Sequence, residues 1–242
     1  MRVKGRQDGR WSFVSTCRNR LRNYVSNHLA EILGGRLTFL RYSGVAWAWS
    51  ETFEQSQNIV SRWPELQGTK NSAKVPSKIL FDDPLQPKWG FGIPENSKPL
   101  EWFKLLLLDE SSIPPDVNKS EKMVEARKRL NESGMTAKQV VTKYLELLWN
   151  HALTEMKNVY PATAIDGQPL LVVLTHPAIW SFPAQYKLKQ CAIDAGITTY
   201  RPAGETKLYL YPEPEAASLA IMDDYQSQPV DVSKDTPVVT SL

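Results

Sequence analysis

The sequence predicts an α/β fold, and three stretches carry that prediction. Leu170–Leu174 is an unbroken apolar run of strand length. Ser181 to Ala195 has helical spacing, with Ala184, Leu188, Cys191, Ala192 and Ala195 on one face. Lys207–Tyr211 reads as a second strand after that helix. With the turns between them and the helix that follows, the order reads as strand, turn, helix, strand, turn, helix.

Within that unit the punctuation is local. Thr175-His176-Pro177-Ala178-Ile179-Trp180 turns the chain out of the first strand. Ser181 is placed to cap the helix, with Pro183 in its first turn. Gly196 supplies a stop. Ile197–Tyr200 also reads as strand. Pro212 and Pro214 mark a turn around Glu213, and helix resumes over Glu215–Met222. The tail, Gln226–Leu242, is polar apart from Val238-Val239.

Upstream, the elements are shorter. Residues 1–36 carry seven Arg and one Lys against Asp8 and Glu31. The whole chain has a net charge of only +3, so the body is mildly acidic and the basicity sits at one end. That distribution argues against a nucleic-acid surface spread over the domain. An Arg-rich, acid-poor start fits a disordered arm, a segment foreign to the domain, or a mitochondrial presequence. Val45, Trp47 and Trp49 alternate with small residues, as in a half-buried strand. Base stacking on these tryptophans is the less economical reading. Gly68–Ser77 reads as a polar loop, Ile79-Leu80-Phe81 as a short strand, and Lys88–Gly92 as a further strand or hairpin edge.

Leu100–Leu108 mixes aromatics and leucines around one charge, Lys104. Such a lysine either snorkels to water or is held at a cleft to meet a phosphate or a reacting water; composition favours snorkelling. Asp116–Tyr160 is helical. Ser120–Leu130 has Met123, Ala126 and Leu130 at helical spacing, and Gly134 ends it. Thr136 and Gln139 form a capping-box pattern. Val140, Val141, Tyr144, Leu145, Leu148, Trp149 and Ala152 then make one apolar face, with His151 beside it as a structural histidine.

Several chemistries are excluded by pattern. The chain has no GxGxxG, no GxxxxGK[ST] and no GxSxG. Its three histidines and two cysteines, Cys17 and Cys191, lack metal or disulfide spacing. No apolar run is long enough for a membrane span. One carboxylate is unusually placed: Glu213 follows a strand directly, between two prolines. Groups at strand mouths bind ligands in α/β folds, and a carboxylate there can order water around Mg²⁺. A solvent-facing turn glutamate is an equal reading.

Taken together, "LLVVLTHPAIWSFPAQYKLKQCAIDAGI" and "LYPEPEAASLAI" resemble the nucleotide-binding domain of the seventy-kilodalton heat-shock chaperones. These are DnaK-like members of the actin-like (ribonuclease H-like) ATPase superfamily. "YSGVAWAWS", "KVPSKILF" and "WFKLLLLDE" extend the similarity to the divergent members common in filamentous fungi, over about residues 42–240. The resemblance implies lobe I of such a domain: a mixed sheet near Tyr42–Trp49 and Leu170–Tyr211 with flanking helices and a helical and hairpin insertion. It implies three segments: residues 1–36, the lobe at 37–225, and a tail at 226–242.

The resemblance also implies ATP and Mg²⁺ as ligands. Lys104 corresponds to the lysine at the γ-phosphate and attacking water. Glu213 corresponds to the glutamate that holds Mg²⁺ through water, so no residue binds metal directly. Pro177 corresponds to a proline that relays nucleotide state between lobes, and Tyr42 and Ser43 are what remains of the first phosphate loop. The rest of that loop, Asp-x-Gly-Thr-Thr in the family, is Leu37-Thr38-Phe39-Leu40-Arg41 here. The second loop is expected after Asp235–Val239, and the sequence closes at Leu242, so ATP hydrolysis by this chain is expected to be impaired. Implied partners are unfolded polypeptides or co-chaperones in the cytoplasm, with a stress-response role and neither nucleic acid nor membrane. The alternative is a non-catalytic protein-interaction module or a truncated product.

Overall fold

The structure is a computed structural model that describes residues 41–47, 58–66, 71–83 and 85–215. The chain divides into two compact units. Gly34–Pro212 forms one; of the other, only Glu213–Glu215 are described. Several expectations therefore lie outside the described residues: those for residues 1–36, Leu37–Leu40, Trp49, the helix beyond Glu215, and the tail with Val238-Val239.

The chain is a mixed α/β protein. Its first strands are short: β1 (Tyr42–Ser43), β2 (Ala46–Trp47), β3 (Asn58–Ile59), β4 (Val75–Pro76), β5 (Lys78–Leu80), β6 (Lys88–Trp89) and β7 (Leu100–Glu101). They pair antiparallel as β1–β4, β2–β3 and the three-stranded β6-β5-β7. The parallel pair β8 (Leu171–His176) and β9 (Lys207–Pro212) is a separate sheet. The expected single mixed sheet is thus replaced, among the described residues, by four small sheets. Two-residue strands are too short to build a continuous ladder.

Burial alternates through β4 and β5: Val75, Ser77 and Ile79 are buried, with Pro76, Lys78 and Leu80 less so. The region expected as a loop up to Ser77 therefore ends in strand. Pro76 is tolerated because it sits in an edge pairing. After β6 the chain turns at Gly90, whose φ of +58° and close approach to Val75 both require glycine.

Helices supply most of the core. α1 (Pro115–Asn118) leads into α2 (Glu121–Ser133), which Ser120 caps through the Met123 amide at 3.3 Å. α3 (Ala137–Val159) begins with the anticipated capping box: the Gln139 amide donates to Thr136 Oγ1, and the Thr136 amide donates to Gln139 Oε1 at 2.8 Å. Its buried residues are Val140, Val141, Tyr144, Leu145, Ala152 and Met156, so the inward stripe follows the predicted face. α4 (Ala162–Asp166) precedes β8, and α5 (Phe182–Asp194) joins β8 to β9. α3 packs on α5 and on a five-residue 3-10 helix, Phe103–Leu107. A Lys138–Asp194 ion pair at 2.7 Å crosses from α3 to α5.

The end of α5 corrects one expectation. Ile197–Tyr200 is a turn, not a strand. Gly196, at φ +82°, donates to Ile193 O, and Ile197 donates to Ala192 O at 3.1 Å. Those two bonds are a Schellman motif. They consume the amide that a ladder would need, and Thr199 donates back to Gly196 O. Ser181 does occupy the cap position of α5, but its side chain makes no cap hydrogen bond.

Candidate functional site

The site grows from the register of β1 against β4. Ser43 stands opposite Val75, so Ser77, two residues further on, is its diagonal neighbour on the same face. The Ser77 amide donates to Arg41 O at 2.7 Å, which fixes that alignment. The two hydroxyl oxygens, Ser43 Oγ and Ser77 Oγ, lie 2.7 Å apart and buried.

Lys104 reaches this pair from the 3-10 helix. Its Nζ donates to Ser43 Oγ at 3.0 Å and lies 3.5 Å from Ser77 Oγ. Beneath it is the Tyr144 ring, with Nζ 5.9 Å from the centroid. The snorkelling reading gives way: the half-buried ammonium is turned toward hydroxyls of the core. What aims it is the backbone. Trp102, just before the 3-10 helix, has φ +59° and ψ +9°, an unusual conformation for a bulky residue. Such a conformation costs about 1–3 kcal/mol and persists where packing over-determines it. Trp102 is buried, and its indole Nε1 has no hydrogen-bond partner among the described residues. The far end of the 3-10 helix is tied to α5, where Lys187 Nζ donates to Leu107 O at 3.1 Å and Asp109 Oδ1 at 2.9 Å.

Tyr144 closes the floor. Its hydroxyl lies 3.4 Å from Pro76 O and interacts with both serine hydroxyls. Burial pushes its pKa up to about 12, against the opposing pull of those serines. The result is a small polar cluster, one cation and three hydroxyls, set into an apolar core.

Tyr42 and Pro177, in the same unit, are not part of this cluster. Tyr42, next to Ser43, is 43% exposed and pairs with Pro76. Pro177 follows the C-terminal end of β8. Its carbonyl accepts from the His176 ring at Nδ1 (2.9 Å) and from the Trp180 amide (3.1 Å), so it anchors the turn into α5. His176 is buried and stacks on Trp180, with ring centroids 6.4 Å apart. Glu213 opens a helical turn directly after β9, and it belongs to the other compact unit. His151 is structural in its contacts: its Nε2 donates to Arg62 O at 2.7 Å, and its ring packs against Trp63 and Trp89. Among the described residues, no group of three His, Cys, Asp or Glu is placed to hold a metal ion, and no helix is long and apolar enough to cross a membrane.

Ser77 and Tyr144 are the members that sequence reasoning missed. Tyr144 was hidden among apolar neighbours on the α3 face. Ser77 carried one signal: it is the polar residue at the inward position between Val75 and Ile79. In comparisons with known proteins, the chain matches no family model, no characterised protein and no solved structure.

Proposed function

We propose that the chain is lobe I of a nucleotide-binding domain of the seventy-kilodalton heat-shock chaperone type, and that Lys104 and Ser43 hold the terminal phosphoryl group of ATP. One observation supports this above others. The Lys104–Ser43 hydrogen bond, across 61 positions of sequence, joins the two residues that the resemblance assigns separately to phosphate contact. An ammonium beside hydroxyl donors is a suitable environment for phosphoryl oxygens.

In this reading Lys104 stabilises charge on the terminal phosphate, and Ser43 orients it. By the resemblance Glu213 would be the residue to hold Mg²⁺ through water, and a single carboxylate suits an ion that keeps most of its hydration. Pro177 carries nucleotide state toward α5. The cellular role is ATP-dependent handling of unfolded polypeptides with co-chaperones in the cytoplasm. Binding outlasts turnover, because Leu37–Arg41 stand where the family has the acid and glycine of the first phosphate loop. Titration calorimetry with Mg·ATP tests the proposal. Wild type binds, and Lys104→Ala weakens binding at least about tenfold, which corresponds to ~1.4 kcal/mol. Equal binding by both proteins would remove it.

A second reading is favoured by a different observation. Ile179, Phe182 and Tyr186 are 66%, 86% and 64% exposed around the start of α5. Large exposed apolar groups close together serve protein contacts. As a non-catalytic interaction module, the chain would self-associate in size-exclusion chromatography and stay silent to ATP, and Phe182→Ser with Tyr186→Ser would return it to a monomer.

A further inference from the structure

We infer that Ser77 is a positioning residue that sets Lys104 and Ser43 for phosphoryl binding without touching the ligand itself. The inference rests on the nucleotide reading above and deepens it, since nothing in the sequence motifs assigns Ser77 a role.

The first support is depth. Ser77 is 2% exposed against 9% for Ser43, so Ser77 is the more deeply buried of the two. A ligand arriving from solvent meets Ser43 before Ser77. The second support is hydrogen-bond direction. A lysine ammonium only donates, so Ser43 Oγ must accept at 3.0 Å. The Ser43 oxygen has one proton and one further lone pair to place, and Ser77 Oγ lies 2.7 Å away. Whichever serine donates in that contact, Ser77 restricts the rotation of the Ser43 hydroxyl. Ser77 also lies 3.5 Å from Nζ, on the same side as Ser43, so the two hydroxyls face the ammonium as a pair.

The third support is rigidity. Ser77 is fixed by the hydrogen bond its backbone amide donates to Arg41 O, between buried Val75 and Ile79. Its hydroxyl is therefore a stationary reference against which a flexible lysine is held. Lysine loses much rotamer freedom when it engages a ligand, and holding it beforehand lowers that cost. The inward position of β4–β5 would ordinarily be apolar, as Val75 and Ile79 are. A serine there weakens the core locally and gains an ordered cation.

The test uses the full chain with ¹⁵N-labelled lysine, read by the side-chain ammonium signal of Lys104. That signal is assigned from its loss in Lys104→Ala. Ser77→Ala is expected to broaden or abolish it through faster exchange, and Ser77→Thr, which keeps the hydroxyl, to restore it. In parallel, Ser77→Ala is expected to weaken Mg·ATP binding about tenfold. It should add clearly less than that in a Ser43→Ala background. If Ser77→Ala fails to fold, Ser77→Cys keeps the size, weakens the hydrogen bond and gives the same readouts.

An unchanged ammonium signal in Ser77→Ala overturns the inference, as does tenfold weakening that is fully additive with Ser43→Ala. Retained Mg·ATP affinity in Ser77→Ala, beside its loss in Lys104→Ala, overturns the role of Ser77 and leaves the nucleotide reading standing. A wild-type chain that binds no Mg·ATP overturns both as a statement about phosphate. The ammonium signal would then report only that Ser77 orders Lys104.

Discussion

Ser43 Oγ and Ser77 Oγ lie 2.7 Å apart, both buried, with the Lys104 ammonium beside them. A hydroxyl pair in such a place is strongly coupled, because each serine that loses its partner keeps only part of its hydrogen bonding. Ser43→Ala and Ser77→Ala are each expected to cost about 1–3 kcal/mol. The double variant should cost less than their sum by about 1 kcal/mol. Urea denaturation of the four proteins measures this. Strict additivity would mean that the two hydroxyls do not share a bond in solution.

Gly90 tests the scaffold behind that pair. A Cβ there would stand 2.4 Å from Val75 Cγ2, and the residue also has φ +58°. Val75 is the cross-strand partner of Ser43, so any shift reaches the site. Gly90→Ala therefore combines backbone strain with overpacking and is expected to destabilise by about 2–4 kcal/mol. Gly134 is the control. It has φ +65°, but a methyl group added there would meet nothing within 4 Å among the described residues, so Gly134→Ala should cost only about 1 kcal/mol. Thermal unfolding of both variants orders the two effects. A Gly134 cost as large as that of Gly90 would contradict the packing.

The contrast between the helices and the site shows what the sequence made legible. The α3 capping box, its inward stripe and the strands at β8 and β9 were all readable, because each is written in residues close together in the chain. Lys104 stood out as the one charge in an apolar stretch, but its contact with Ser43 was not legible at all. That contact depends on a two-residue pairing, β1 with β4, whose partners are more than thirty positions apart. Ser77 was read as the end of a polar loop, since one serine does not announce that its neighbours face inward. Ile197–Tyr200 misled in the opposite direction. Its composition is β-like, but Gly196 had already committed the following amide to closing α5.

Tyr144 gives the fold an alkaline limit. Its pKa is raised to about 12 in the folded chain, chiefly by burial, against an ordinary value near 10. For a group whose folded pKa is raised, the contribution is fully present below the unfolded value and is lost as pH rises through the folded one. Stability should therefore fall between about pH 10 and pH 12, by up to ~3 kcal/mol from this residue. Comparing denaturant midpoints of wild type and Tyr144→Phe across that window isolates the effect. The phenylalanine variant should show a shallower decline. Parallel curves would mean that Tyr144 ionises as easily in the folded chain as in the unfolded one.

Lys104 separates binding from turnover. In the proposed site it meets the terminal phosphate, so its loss should weaken affinity for Mg·ATP. Catalysis asks for more: groups that position the attacking water and are stronger toward the transition state than toward the ground state. Where the proposed reading would put the first phosphate loop, Leu37-Thr38-Phe39-Leu40-Arg41 offers neither carboxylate nor glycine. Wild type is therefore expected to hydrolyse ATP no faster than Lys104→Ala, although it binds ATP about tenfold more tightly or better. Release of phosphate under single-turnover conditions, followed beside calorimetry, checks both halves at once. A Mg²⁺-dependent rate that falls with Lys104→Ala would show that the remaining groups suffice to position water. The substituted loop would then have to be assigned a role other than loss of catalysis.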